Sequence, residues 1–422
     1  MQSKDKKLTL KKLPLAVCGV FLLASSYTHA GDFSPLYHPG NDTGLIESVT
    51  GYKYNESNFM QSLGIKAGGW TEIGANINAG DRSHNRGGNA PVTFNDQPNS
   101  FNLHQVYGYI EREVNRNTTN ALSFGFRADL LYGTDARFTS ATNFDSNVLG
   151  HTDPSNPHGD RKLVFPQAYV DIYMPIGNGL VASVGHFYTI IGYEVVPAAG
   201  NFFMSHAYTM QYGEPFTHTG AMLTYPLNDN IELKGGVVSG WDAHFKQPAN
   251  FLGSVAYTTD NEQTSITGSL ITGDVNTNYG GGGGLVPNNN HNRTLYSVVL
   301  EHSFTERLHY VLQHDLGIEE NTSTSQAAKW YGLNQYMFYD IAHNLGAGIR
   351  MEWFRDEDGV RVQGNGISEN YIGVTGGLNY RPIAGFTLRP EVRYDVSTNQ
   401  KAYDGGTDDD QFLATLSGIF RF

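Results

Sequence analysis

The feature that most restricts this chain is a two-residue rhythm held over long segments. In residues 386–396, Phe386, Leu388, Pro390, Val392, Tyr394 and Val396 share one face, and Thr387, Arg389, Glu391, Arg393 and Asp395 share the other. A period of two is the signature of a β-strand with one apolar and one polar side. Residues 121–133 repeat it, with Leu122, Phe124, Phe126, Ala128, Leu130 and Tyr132 set against Ser123, Gly125, Arg127, Asp129 and Gly133; Leu131 alone breaks step. In residues 345–354, Leu345, Ala347, Ile349, Met351 and Trp353 oppose Gly346, Gly348, Arg350, Glu352 and Phe354. Strands of soluble proteins usually run about five or six residues. These reach roughly ten, enough to cross a bilayer at a tilt.

The connections carry a second regularity. Strands are expected to start near Ile65, Phe101, Ala121, Leu163, Gly179, Phe216, Ile231, Asn250, Thr264, Arg293, Arg307, Lys329, Leu345, Ser368, Phe386 and Gln411. Short turns such as Pro175–Asn178, Pro226–Asn230, Ala342–Asn344 and Pro382–Gly385 alternate with long connections such as Gly80–Ser100, Thr134–Lys162, Gly192–Glu214 and Asp274–Asn292. The short ones are rich in Pro, Gly, Asn and Asp, which form turns. In hydrocarbon no water can bond an open strand edge, so such a sheet must close on itself. The expected fold is all-β: a closed antiparallel transmembrane β-barrel of about sixteen strands, with fourteen to eighteen fitting the same pattern. The final segment, Phe412 to Phe422, puts Phe412, Ala414, Leu416, Gly418, Phe420 and Phe422 on one face and ends inside a strand.

The N-terminus reads as an export leader. Lys4, Lys6, Lys7, Lys11 and Lys12 precede an apolar run from Leu13 to Ala24, and Thr28-His29-Ala30 offers a small-residue cleavage site. The run is short for a spanning helix. The expected organisation is a cleaved signal peptide over 1–30, a periplasmic lead-in over 31–64 and the barrel over 65–422. Cys18, the only cysteine, falls in the leader, so the remainder can form no disulfide. The chain is acidic, 41 Asp+Glu against 28 Lys+Arg, which argues against nucleic acid as a partner. Its mean hydropathy of −0.37 fits a barrel, in which lipid-facing and water-facing residues average out.

A set of ordered fragments resembles a known family. Gly69-Trp70, Phe101-Asn-Leu-His-Gln105, Arg127-Ala-Asp129 and Gln167-Ala-Tyr169 lead into Gly179-Leu-Val-Ala-Ser-Val-Gly-His-Phe187, Ile191-Gly-Tyr-Glu194, Asn201, His218-Thr-Gly220 and Gly235-Gly-Val-Val-Ser-Gly-Trp-Asp242. Together they are similar to the OmpL-like outer-membrane β-barrel porins, most densely over about residues 69–242. His186 departs from the pattern, which would have Lys in a Gly-Lys-Phe step; that exchanges a permanent charge for a titratable group. The resemblance implies a passive channel for small hydrophilic solutes in the outer membrane of a Gram-negative bacterium. It supplies no catalytic residues. It also implies outer-membrane lipids as surroundings and a terminal strand, ending at Phe422, of the kind read by the outer-membrane assembly machinery. Self-association into a homo-oligomer is open.

Charges spaced by two share a strand face. Arg127 with Asp129, Arg350 with Glu352, and the ladder Arg389, Glu391, Arg393 and Asp395 are therefore the candidate pore-lining residues, where rings of charge sort solutes. The bland alternative is mutually neutralised pairs that brace the wall. The Thr134–Lys162 and Gly192–Glu214 connections are the candidates for folding inward. Gly280–Gly284 has no Gly-Lys-Ser/Thr and reads as a flexible external loop. His151, His158, His206 and His218 lack the close pairing of a zinc site. Gly236-Val-Val-Ser-Gly240 has the wrong spacing for a hydrolase elbow. No enzyme activity, metal or cofactor is expected. The rival readings are a substrate-selective channel and a plugged barrel whose external loops bind a surface ligand.

Overall fold

The computed structural model describes residues 44–80, 88–118, 120–146, 161–275, 291–320, 322 and 325–422. The signal peptide, the first part of the lead-in, Gly280–Gly284, His151 and His158 lie outside them. The strands in chain order are β1 (Lys66–Asn78), β2 (Phe101–Arg112), β3 (Ser123–Gly133), β4 (Lys162–Val164), β5 (Ala168–Met174), β6 (Leu180–Tyr188), β7 (Thr217–Pro226), β8 (Ile231–Val238) and β9 (Asn250–Thr258). They continue with β10 (Thr264–Val275), β11 (His291–Ser303), β12 (Leu308–Glu320), β13 (Ala327–Ala342), β14 (Leu345–Asp356), β15 (Glu369–Ile383), β16 (Phe386–Ser397) and β17 (Asp410–Arg421).

Successive staves pair antiparallel, and β17 returns to β1 in a register running from Trp70 opposite Arg421 to Asn78 opposite Leu413. The sheet is closed. It has sixteen staves because β4 and β5 occupy one position, both pairing with β3. The sequence pattern gives an unbroken strand from Leu163, and the structure breaks it at Phe165–Gln167. Pro166 has no N–H for the ladder. The Phe165 N–H turns aside to Asp145 Oδ2 at 2.8 Å, while the Gln167 carbonyl accepts from Asp129 N at 2.9 Å.

The two-residue rhythm sorts side chains as expected. Leu130, Ile349, Met351, Val392, Tyr394, Phe412 and Leu416 are exposed on the outer face. Their polar alternates turn inward and are buried, Arg350 and Asp395 completely. Leu131, out of step in sequence, is also an inward, buried residue. Ahead of the barrel, two short helices, α1 (Leu45–Thr50) and α2 (Asn58–Leu63), run beside the short-turn rim. Tyr54 and Asn55 each donate to the Ala67 carbonyl at 2.9 Å, tying this segment to the start of β1. Gly385 sits at φ +78° with Leu45 N only 2.3 Å from where a Cβ would be, so this turn admits glycine alone.

Candidate functional site

The inner face of the barrel is not an open tube. The connection after β6, residues 189–216, turns into the lumen and lies against the wall formed by β12–β17 and β1. Its sequence has a reason to go there: Val196, Phe202, Phe203, Met204, Ala207, Tyr208 and Met210 are all buried by doing so. Full burial of one such large side chain contributes about 1.5–3 kcal/mol. At the neck, Gly192 has φ +85° and the Glu214 carboxylate lies 2.1 Å from its would-be Cβ, so no other residue fits.

Irregular backbone placed inside a barrel loses water and must find partners. The inward charges of the wall supply them. Glu391 Oε2 accepts from Met204 N at 2.7 Å, and Glu352 Oε2 accepts from Tyr208 N at 2.6 Å. Arg350 donates to the Ser205 carbonyl at 2.6 Å, and Arg393 donates to the His206 carbonyl at 2.6 Å. Arg389 donates to the carbonyls of Ala198 at 3.1 Å and Asn201 at 3.0 Å.

The same charges neutralise one another. Arg350 pairs with Glu194 of the inward segment at 2.8 Å and with Glu352 at 3.4 Å. Arg393 joins Glu352 at 3.1 Å and Asp395 at 2.8 Å, so the β14 and β16 sets form one network. Arg389 pairs instead with Glu72 across the closing seam. Arg127 and Asp129 stand apart on β3: they pair at 2.9 Å, Arg127 also reaches Glu111 at 2.8 Å, and Tyr107 and Gln167 donate to Asp129. Glu194 lies outside the strands. Burial alone would raise its carboxyl, but Arg350 and His206 outweigh that and hold it at about 2.

A second stretch, residues 88–100, caps the first. Thr93 N donates to Gln211 Oε1 at 2.5 Å, Tyr212 donates its hydroxyl to the Pro91 carbonyl at 2.5 Å, and Asn95 Nδ2 reaches Thr415 on the wall at 3.1 Å. Above both, side chains from separate connections meet in one apolar cluster: Val92, Ile191, Trp241, Val360 and Tyr403 pack with wall residues such as Leu252 and Trp330. Arg361 lies over Trp330 at 4.8 Å, a cation–π contact that closes the cluster.

The opposite wall is left barer. On β8–β10 the inward residues Glu232, Lys234, Ser254 and Thr267 are only half-buried. A small cleft of about 40 Å³ lies beside them, bounded by Tyr169, Ser183, Phe187, Met222, Thr224 and Lys234. His186 is not part of it. It sits on the outer side of β6, its Nδ1 2.8 Å from Thr219 Oγ1, beneath Phe144 and His244. Among the described residues no group of three or more His, Cys, Asp or Glu is arranged to hold a metal.

One of these residues carries no signal that singles it out in the sequence. Glu72 is an ordinary polar alternate of a strand, and its partner Arg389 is remote in the chain. Glu194 stands in the Ile191-Gly-Tyr-Glu194 fragment of the family match, which was the one available pointer to it.

Among solved structures, the chain resembles a loop-deletion form of OmpT, an outer-membrane protein of Vibrio cholerae, with a TM-score of 0.55 at 10% identity, covering 85% of this chain and 99% of that one. The outer-membrane channel DcaP of Acinetobacter baumannii superposes with a TM-score of 0.54 at 10% identity, covering 85% and 97%. OmpF of Salmonella typhi gives 0.55 at 13% identity with the same coverage. At such identities the likeness is one of fold. No curated protein matches the chain. The sequence pattern of one family does match, over residues 64–422, the whole of the barrel: the chain belongs to the beta-barrel porin-2, OmpL-like family (BBP2).

Proposed function

We propose that this porin is a narrow diffusion channel in the outer membrane of a Gram-negative bacterium, passing small hydrophilic solutes between the inward segment and the β7–β10 wall. The observation that carries this reading is one-sidedness. Residues 189–216 are bonded to the wall that holds Arg350, Glu391 and Arg393, while Glu232, Lys234, Ser254 and Thr267 on β8–β10 stay half-buried. Width, set by the segment, filters first; the charge of Glu232 and Lys234 filters second. Arg350, Glu352, Arg389, Glu391, Arg393 and Asp395 then act as fasteners of the segment more than as free lining, with Arg127 and Asp129 bracing the wall near β3. The leader over 1–30 directs export, and the terminal strand ending at Phe422 is the handle for the outer-membrane assembly machinery.

The test is liposome swelling with sugars of graded size, alongside single-channel recording in a planar bilayer. A diffusion channel admits the smallest sugars, excludes larger ones and shows a steady small conductance. A second reading, a plugged barrel whose loops bind a surface ligand, is favoured by the apolar cluster that joins Val92, Ile191, Trp241, Val360 and Tyr403. Complete absence of swelling and conductance from a folded barrel would select it.

A further inference from the structure

We infer that the neck of the inward segment is locked by a single proton shared between Glu214 and Asp315, and that its loss as pH rises undocks the segment. The inference rests on the channel reading only in its consequence for flow; the lock itself is a property of the fold.

The two carboxyls are both buried and lie side by side, each within reach of the same Gln313 amide nitrogen. Gln313 fixes their roles. Its Oε1 accepts from Tyr193 N at 3.2 Å, so its Nε2 must be the donor to Glu214 Oε1 at 2.5 Å and to Asp315 Oδ1 at 3.0 Å. Ser297 Oγ also donates to Asp315 Oδ1, at 2.6 Å. Asp315 Oδ2 is buried and receives no donor from the nitrogens and hydroxyls around it. Two carboxylates cannot bond each other; one carboxylic acid and one carboxylate can, and a proton on one of them supplies the missing donor.

The charged groups nearby have partners of their own. On the inward segment, Glu194 adds negative charge and Tyr193 is neutral; Arg350, the nearest cation of that network, is committed to Glu194 at 2.8 Å. On β11, Arg293 is committed to Glu319 at 2.7 Å. On β12, His314 points to the other face, bonding the Gly332 carbonyl at 2.8 Å. On β13, Trp330 donates to the Gly213 carbonyl at 3.1 Å, and Tyr336 donates to Glu194 at 3.1 Å. Burial, and after it the neighbouring Asp315, holds the Glu214 carboxyl well above the ordinary carboxylate range. The sign follows. The docked neck keeps a proton that the undocked neck gives up, so docking is strongest at low pH and weakens as pH climbs toward the raised value. When the proton leaves to solvent base, two adjacent carboxylates remain, on Glu214 at the neck and on Asp315 in the wall.

The experiment is hydrogen exchange of the 192–216 amides in the full, folded barrel, comparing wild type with Glu214→Gln at each pH. The glutamine amide is a donor that does not titrate. In the window between the ordinary and the raised carboxyl values, wild-type exchange should gain on the variant by about tenfold per pH unit. Asp315→Asn places the amide on the other partner and should flatten the profile equally. Exchange that stays parallel in wild type and both variants at every pH would overturn the lock. Planar-bilayer conductance read in parallel should rise with pH in wild type alone. Silence of all three proteins at every pH would sink the channel reading, and exchange would still decide the lock.

Discussion

The two walls of the lumen are built from the same rhythm and end in different states. On β14 and β16 the inward residues are Arg, Glu and Asp, and they are buried because an irregular backbone lies on them and bonds Arg350, Glu352, Glu391 and Arg393 directly. On β8–β10 the inward residues toward the short turns are Glu232, Lys234, Ser254, Ala256, Ser265 and Thr267, those toward the long connections include Val238, Leu252 and Ile271 of the apolar cluster, and no ladder of charge faces the segment there. Long charged side chains here mark where the chain is held, and short neutral ones mark where it leaves room. Burying a charge is costly unless it is paired and bonded. The covered wall meets that condition by using Arg350, Glu352 and Arg393 twice, once for a counter-charge and once for the segment.

Breaking the covered wall should have the largest effect. Arg350→Ala removes the partner of Glu194 and Glu352 and the donor to Ser205; taking one member from such a buried network costs about 3–5 kcal/mol. The barrel should melt earlier in detergent, and larger sugars should enter liposomes. Acid should act on the same contact. The Glu194 carboxyl, held at about 2 against an ordinary 4.5, contributes its full stabilisation above 4.5 and loses it as pH falls toward 2. Protection of the 192–216 amides should therefore decline across that window, and Glu194→Gln should remove the decline. Gly192→Ala, which strains a φ of +85° and meets the Glu214 carboxylate, should loosen the neck by about 1–2 kcal/mol. Ser254→Asp on the bare wall sharpens the contrast from the other side. Stability should move by no more than about 0.5 kcal/mol, while reversal potentials in a salt gradient shift toward cations.

Legibility divides along the same line. The staves could be read because the surface outside a barrel must be apolar at every second residue, and this repeats along each strand. Starts expected near Phe101, Ile231, Asn250, Thr264, Leu345 and Phe386 coincide with the observed strands. The break in the fourth stave was signalled only by Pro166. That Arg350, Glu352, Arg389 and Glu391 face inward was equally plain. That the Gly192–Glu214 connection folds inward was also expected; which of its atoms meet these charges was not, because the partners are backbone atoms of residues 198–208, well over a hundred positions away. Backbone carbonyls and amides have no residue code. Glu72 and Asp315 were passed over for the same reason: a lone polar alternate looks alike whether it meets water, an arginine or another carboxyl.

The most direct measurement is the single-channel conductance of a chain in which residues 197–209 are replaced by a short glycine linker, compared with wild type in the same salt. A marked rise, together with entry of sugars that wild type excludes, is the expected result. Equal conductance and equal size cut-off in the two proteins would contradict the claim that residues 189–216 set the width of the passage.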